Sequence, residues 1–453
     1  MSGNAASEST PVTGREDLIA FFRAGEKPRE RWLIGTEHEK IGLRADTLAP
    51  VPYEGPAGIG ALLRAIQETD GWDPVLEGEH VIALTKDGAS ITLEPGGQFE
   101  LSGAPLRRIH DTCAEFQAHL ELIRRVSEPL GLLWLSLGAN PIHDVDEIPH
   151  MPKGRYDIMR AYLPTRATLP LHMMHLTATV QANFDFASEA DMADKMRMAM
   201  GVTPIVSAIF ANSPLYLGKP SGYISRRLHI WRHTDPDRCG MLPFVFEPGF
   251  GYAQYVDWAL DVPMFFVVRN GHYQPAGGMT FRHFMERGFR GEPATLDDWT
   301  THLTTLFPEV RCKQFIEVRG ADAVPPDLIC ALPALWKGLL YDADALAGAW
   351  ALVQGWRFEE RDDAIEAVAR GGLAAKVAGT PVLDLARELL ALAEGGLARI
   401  DDRGGADDRD ERGFLDPVAE IVERGTSPGE EILRRWDGEW GRRMDLLVEA
   451  VRY

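Results

Sequence analysis

Polar and apolar residues alternate along several short stretches of the chain, and two of these gather acids or amides on one side. Trp32 to Leu43 reads as a strand in which Glu37 and Glu39, two residues apart, share a face, with His38 on the other. Two like charges on one sheet face repel, and burial adds to that cost. Either water covers the face or a cation lies against it, and hard divalent ions such as Mg²⁺ favour carboxylate oxygens. His175 to Phe186 shows the longest alternation. His175, Thr177, Thr179, Gln181, Asn183 and Asp185 interleave with Leu176, Ala178, Val180, Ala182, Phe184 and Phe186. An antiparallel strand with one polar face explains this, and leaves open whether that face is the outside or the floor of a cavity.

Further elements follow from the same patterning. Glu16–Ala24 and Ile59–Gln67 read as helices, and Val81–Thr85 and Ser90–Glu94 as a hairpin turned at Asp87-Gly88. After the kink Pro95-Gly96-Gly97, an extended Gln98–Leu101 sets Glu94 and Glu100 on either side of it. Pro105–Leu130 is a helix whose stripe runs through Leu106, Ile109, Cys113, Phe116, Leu120, Ile123 and Val126. Leu132–Leu137 is a buried strand. A loop then carries Met151 to Tyr156 and Arg160, and its Lys153, Arg155, Arg160 and Tyr156 suit an anion or simply meet water. Ser188 starts a methionine-rich helix in capping-box style. Ser225–Arg232 concentrates Arg226, Arg227, Arg232, His229 and Trp231, a local basic cluster suited to a carboxylate or phosphate. Lys313–Gly320 is a strand with Phe315, Glu317 and Arg319 on one face, and from about Leu328 the chain is mostly helical. Asp401–Arg412 reads as a solvated loop or disordered insert.

Composition narrows the function classes. A hydrophobic share of 45% and a charged share of 25% over 453 residues describe an ordinary globular protein of one large or two smaller domains. The net charge of −20, with no long basic run, argues against a nucleic-acid binder. No apolar run is long enough to span a membrane. Met1–Gly14 is polar and lacks the pattern of a signal peptide, so it reads as a disordered lead, with a cytoplasmic address as the default. The four cysteines are scattered without a CxxC, which excludes a disulfide scaffold and a zinc site. Cys113, on its helix stripe, reads as a packed thiol.

Acids on separate strands, Glu37 with Glu39, Glu94 with Glu100, and Glu317 beside Arg319, suggest a sheet floor lined with metal ligands. Together with arginine clusters, such a floor meets the needs of ATP-dependent acyl activation. There is no Walker A motif, no GxGxxG after a strand and no kinase signature, so a nucleotide site here is of the sheet-and-metal kind.

Several longer blocks carry a family likeness. Gly35–Lys40, Leu93–Pro105, Met151–Arg160, Thr203-Pro204 through Asn212-Ser213-Pro214, Gly240–Phe246, Ala259–Met264, Phe307–Arg311 and Gly438–Gly441 resemble glutamate–cysteine ligase of the plant and proteobacterial type. The resemblance implies an α+β, glutamine-synthetase-like fold, an antiparallel β-sheet funnel surrounded by helices. It implies a single catalytic domain over 15–453 behind the lead 1–14. The implied reaction is ATP-dependent joining of the L-glutamate γ-carboxylate to the L-cysteine amine through a γ-glutamyl phosphate, the first step of glutathione synthesis. By similarity, Glu37, Glu39, Glu100 and Glu317 ligate Mg²⁺, with Glu94 and Gln181 as further candidates. Arg227 holds the glutamate substrate, Trp231 lines its site and Arg319 faces the γ-phosphate. Tyr156, Arg155 and Arg160 join the substrate site on the reading of the residues alone. Cys113 and Cys330 match one redox pair of plant members and are expected to stay reduced in a cytosol. The second pair has no counterpart, since Ala276 stands where its first cysteine would be. The absence of a transit peptide favours a bacterial cytoplasm. Small-molecule substrates, no nucleic acid, no membrane, and a monomer or homodimer complete the expectation. Two rivals remain: a related carboxylate–amine ligase with a different amine acceptor, and a non-enzymatic ligand-binding protein on a degenerate ligase fold.

Overall fold

A computed structural model describes residues 10–404 and 409–453. Nine strands form one antiparallel sheet: β1 (Ile34–Arg44), β2 (Asp73–Glu77), β3 (His80–Lys86), β4 (Ala89–Leu93), β5 (Phe99–Ser102), β6 (Leu132–Leu135), β7 (Val180–Phe184), β8 (Val310–Cys312) and β9 (Ile316–Val318). Their order is β8-β9-β7-β1-β5-β4-β3-β2, and β6 pairs with the far end of β1. This is the expected α+β arrangement. Strand β1 is its axis, paired with β7 and β5 along its first part, up to Lys40, and with β6 from Ile41 to Arg44.

One sheet face is closed by helices. His38, Lys40, Phe99, Leu101, Val180 and Ala182 are buried there. α3 (Ile109–Ser127) presents Ile109, Cys113, Phe116, Ile123 and Val126, five of the seven stripe positions read from the sequence, while Leu106 precedes the helix and bridges to Ile34; the helix Ala331–Leu340 packs on β1 and β7. The Asp87-Gly88 turn has both residues at positive φ, 49° and 87°, as a two-residue hairpin requires. Among the described residues no helix is long and apolar enough to cross a membrane.

Several expectations are corrected. His175 is not in a strand: Pro170 at the first turn starts a helix, α5 (Pro170–Leu176), and the strand begins only at Val180. The stretch read as a loop contains α4 (Gly154–Tyr162). Residues 1–9 of the expected disordered lead lie outside the described residues. Its remainder docks, with Val12 buried and its amide donating to the Ala294 carbonyl at 2.9 Å. In the expected solvated run, Arg403–Gly404 pairs with Arg409–Asp410, while 405–408 lie outside the described residues. Cys113 and Cys330, expected to be reduced, are bonded, their Cα atoms 5.7 Å apart, and clamp α3 to the helix Ala331–Leu340.

Candidate active site

The open sheet face is where the acids gather. Register sets Glu39 of β1 opposite Glu100 of β5, and Glu37 opposite Gln181 of β7. With a period of two, these side chains project together into a cavity of about 270 Å³. The polar face of the long alternation, Thr177, Thr179 and Gln181, is part of the cavity floor and not an outer surface. The Pro95-Gly96-Gly97 kink seals one edge. A Cβ at Gly96 would lie 2.4 Å from the His175 carbonyl oxygen, so only glycine allows this approach.

Four acids line the cavity: Glu37, Glu39, Glu94 and Glu100. Among the described residues none of them forms an ion pair with a basic side chain, and their hydrogen bonds are to neutral donors. Glu39 accepts from the Thr179 amide at 3.0 Å, Glu37 from the Asn183 side-chain amide at 3.1 Å, and Glu100 from the Ser102 hydroxyl. Burial, then repulsion by Glu317 and Glu100, pushes Glu37 up to about 7. Burial and Glu94 do the same for Glu100, also to about 7. Glu39 is pushed well above the carboxylate range by burial, Glu94 and Glu100. Glu94 is raised by burial, against the pull of Lys153 and Arg155.

The facing wall is basic. Arg227 and Trp231 come from α7 (Arg226–Arg232), one turn apart on one helix face, with the Arg227 guanidinium 5.8 Å from the Trp231 ring. Arg319 lies 5.5 Å from the same ring and donates to Gln181 Oε1 at 2.8 Å. Lys153 and Tyr156 both donate to the Leu93 carbonyl, at 2.8 and 2.6 Å, which ties the start of α4 to β4. Arg155 also lines the cavity.

Two residues singled out in the sequence stand elsewhere. Glu317 does not line the cavity: it is fully buried behind it, bridged by Arg311 at 2.7 Å, Lys313 at 3.0 Å and Arg319. Burial raises this carboxyl, but the three cations prevail and hold it well below the usual range. Arg160, on α4, turns away to pair with the exposed Asp157. Lys153, read with the anion-suited loop, lines the cavity; the sequence reading passed over Arg311, Thr304 and Phe307, and a trio of methionines, Met159, Met173 and Met174, all of which line it too. Arg311 stood in the quoted Phe307–Arg311 block. The methionines carry no signal of their own, since thioethers fill most cores.

The donors fit a hard divalent cation in their chemistry. Carboxylate and amide oxygens lie on neighbouring strands with buried negative charge that no basic side chain pairs. Among the described residues no three acids are placed to hold one ion together, so a Mg²⁺ here would take one or two carboxylates and keep waters in the rest of its shell.

Comparisons with known proteins agree with this geometry. Residues 33–448 match glutamate–cysteine ligase family 2. The chain is 48% identical over 452 residues to the chloroplastic glutamate–cysteine ligase of Brassica juncea, covering 99% of this chain and 86% of that protein. It is 47% identical to the Arabidopsis thaliana enzyme, covering 99% and 84%. The crystal structure of a Francisella tularensis glutamate–cysteine ligase in complex with AMP shares the fold, with a TM-score of 0.55 and 12% identity over 92% of this chain and 87% of that one. The relatives are named as chloroplastic enzymes, which overturns the expectation of a cytoplasmic address. An antiparallel sheet with an acid floor, and likeness over nearly the whole length, lead to one conclusion: the chain belongs to glutamate–cysteine ligase family 2.

Proposed function

We propose that this protein joins the γ-carboxylate of L-glutamate to the amine of L-cysteine with the hydrolysis of ATP, giving γ-glutamylcysteine, ADP and phosphate. The observation that carries this reading is the meeting of unpaired acids and arginines in one cavity. Glu37, Glu39 and Glu100 share its lining with Arg227 and Arg319 and with Arg311, which stands on the same sheet face as Glu37. Transfer of a phosphoryl group to a carboxylate brings together anions that repel, and positioned cations offset that repulsion.

Glu37, Glu39 and Glu100 would hold Mg²⁺, with Glu94 and Gln181 as further oxygen donors. Bound there, the ion would neutralise phosphate charge and orient the nucleotide. Arg227, beside Trp231, binds a carboxylate of glutamate. Arg319 and Arg311 stabilise charge on the transferring phosphoryl group, and buried Glu317 holds these two guanidiniums in place. The γ-carboxylate oxygen attacks the terminal phosphorus of ATP and ADP departs. The cysteine amine then attacks the acyl carbon, phosphate leaves with the bridging oxygen, and the amine loses its proton. Arg155 and Tyr156 lie on the substrate side of the cavity. The soft, apolar Met159, Met173 and Met174 suit the cysteine thiol as acceptor side chain.

The test supplies the purified protein with ATP, Mg²⁺ and L-glutamate, and with either L-cysteine or other small amines. Phosphate release and product mass are followed together. The reading predicts γ-glutamylcysteine formed with one phosphate per amide. Preference for another amine contradicts the acceptor assignment, and phosphate release without an amide contradicts the ligase assignment.

A further inference from the structure

Behind the arginine wall lies a carboxylate that the proposed reaction does not use. Asp322, in the segment after β9, is 1% exposed and does not line the cavity. Its Oδ2 accepts from the Asn212 amide at 2.7 Å and from the Ser213 hydroxyl at 2.7 Å, and its Oδ1 accepts from the Ser225 hydroxyl at 2.8 Å. Each serine passes the contact to α7. The Ser213 hydroxyl accepts from the Arg227 amide at 3.1 Å, and the Ser225 hydroxyl caps the helix by accepting from the Leu228 amide at 3.2 Å. At the side-chain end, the Arg227 guanidinium donates to the Arg319 carbonyl at 3.0 Å. The segment carrying Arg319 and Asp322 therefore grips Arg227 at both its backbone and its guanidinium.

The segment is itself fixed. The Thr179 hydroxyl donates to the Ala321 carbonyl at 2.6 Å, and the Ala323 amide to the Ala178 carbonyl at 3.0 Å. Asp322 fills the space a side chain at Gly138 would need, since a Cβ there would lie 2.3 Å from its carboxyl carbon. Among the described residues Asp322 forms no ion pair within 4 Å, so neutral donors alone hydrogen-bond a buried charge. Such charge-assisted bonds are stronger than those between neutral groups, and a neutral amide in the same place would turn a donor toward one of the serines.

We infer that Asp322 is a positioning residue that, through Ser213 and Ser225, aims Arg227 at the glutamate carboxylate. Burial weakens the hold of Arg227 on its proton, and Asp322 is the foremost charge that restores it. The inference rests on the glutamate-binding role proposed for Arg227, and the experiment separates the two.

Steady-state constants for glutamate, ATP and cysteine are measured for Asp322→Asn, Ser225→Ala, Arg227→Lys and the double variant Asp322→Asn/Arg227→Lys. Asp322→Asn is expected to raise the glutamate KM about tenfold while the ATP and cysteine KM values stay within about twofold. Ser225→Ala, which removes one hydroxyl, is expected to show the same selective shift at about threefold, and it carries the test if Asp322→Asn does not fold. In the Arg227→Lys background, Asp322→Asn adds less than about threefold, because the arginine it aims is gone. An equal rise in all three KM values, or full multiplication of the two effects in the double variant, overturns the positioning role. So does an Arg227→Lys effect on glutamate that neither Asp322→Asn nor Ser225→Ala shares. If Arg227→Lys itself leaves the glutamate KM unchanged, the proposed role of Arg227 fails instead.

Discussion

Glu39 on β1 stands directly opposite Glu100 on β5, and neither carboxylate meets a basic side chain at ion-pair distance among the described residues. Like charges facing each other across a sheet destabilise it unless something neutralises them. Here each can retain a proton, at a raised pKa, or share a cation.

That choice predicts opposite effects on activity and stability. Glu37→Gln, Glu39→Gln and Glu100→Gln each keep the side-chain shape and remove one charge. Each is expected to lower kcat/KM at least ~100-fold while leaving the ligand-free protein as stable as wild type or more so. Steady-state kinetics beside thermal unfolding of the same samples check this pairing.

Glu317→Gln is expected to behave differently, because Glu317 is paired with Arg311, Lys313 and Arg319. Removing it leaves buried Arg311 and half-buried Lys313 and Arg319 without their carboxylate, at a cost of about 3–5 kcal/mol. Urea unfolding separates this loss from the neutral or stabilising change expected at Glu39.

Binding of Mg²⁺ is expected to be linked to protons. Glu37 and Glu100 hold theirs to about pH 7, against an ordinary value near 4.5, and a cation must displace them. Raised carboxyl values weaken the fold as pH climbs from 4.5 to 7, since the folded state then binds more protons than the unfolded chain. His175 and His302, held neutral down to about 4 by burial, act in the opposite direction over much of that range. The readout is therefore the Tm increment on adding Mg²⁺ with a non-hydrolysable ATP analogue. It should be larger at pH 8 than at pH 6, and Glu100→Gln should reduce the difference.

Met159, Met173 and Met174 predict acceptor selectivity. Met173→Ala, which opens the soft lining, is expected to raise the cysteine KM about tenfold and leave the glutamate KM within about twofold. Competition between cysteine and larger thiol-free amines checks it, with discrimination reduced in the variant.

Much of the sheet floor was legible because a strand's period of two fixes which residues share a face. Glu37 and Glu39 could be placed on one face of their strand, and Gln181 on the polar face of its own, before any register was known. What alternation cannot show is which strand lies beside which. Glu317 reads as another acid on a strand face, yet Arg311 from the neighbouring β8 commits it to an ion-pair network. Arg160 sits four residues from Tyr156 on the same helix, but its guanidinium follows the nearer Asp157. At His175 two signals conflicted: the alternation suited a strand, while Pro170 favoured a helix start, and packing gave the helix that stretch. Asp322 left no trace in the pattern, because its partners come from segments more than ninety residues away.

The most direct test is calorimetric titration of Mg²⁺, with a non-hydrolysable ATP analogue present, into wild type and the Glu39→Gln/Glu100→Gln double variant, both shown to be folded by thermal unfolding. The acid floor predicts that the double variant loses at least ~100-fold in Mg²⁺ affinity. Equal affinity in the two proteins would contradict it.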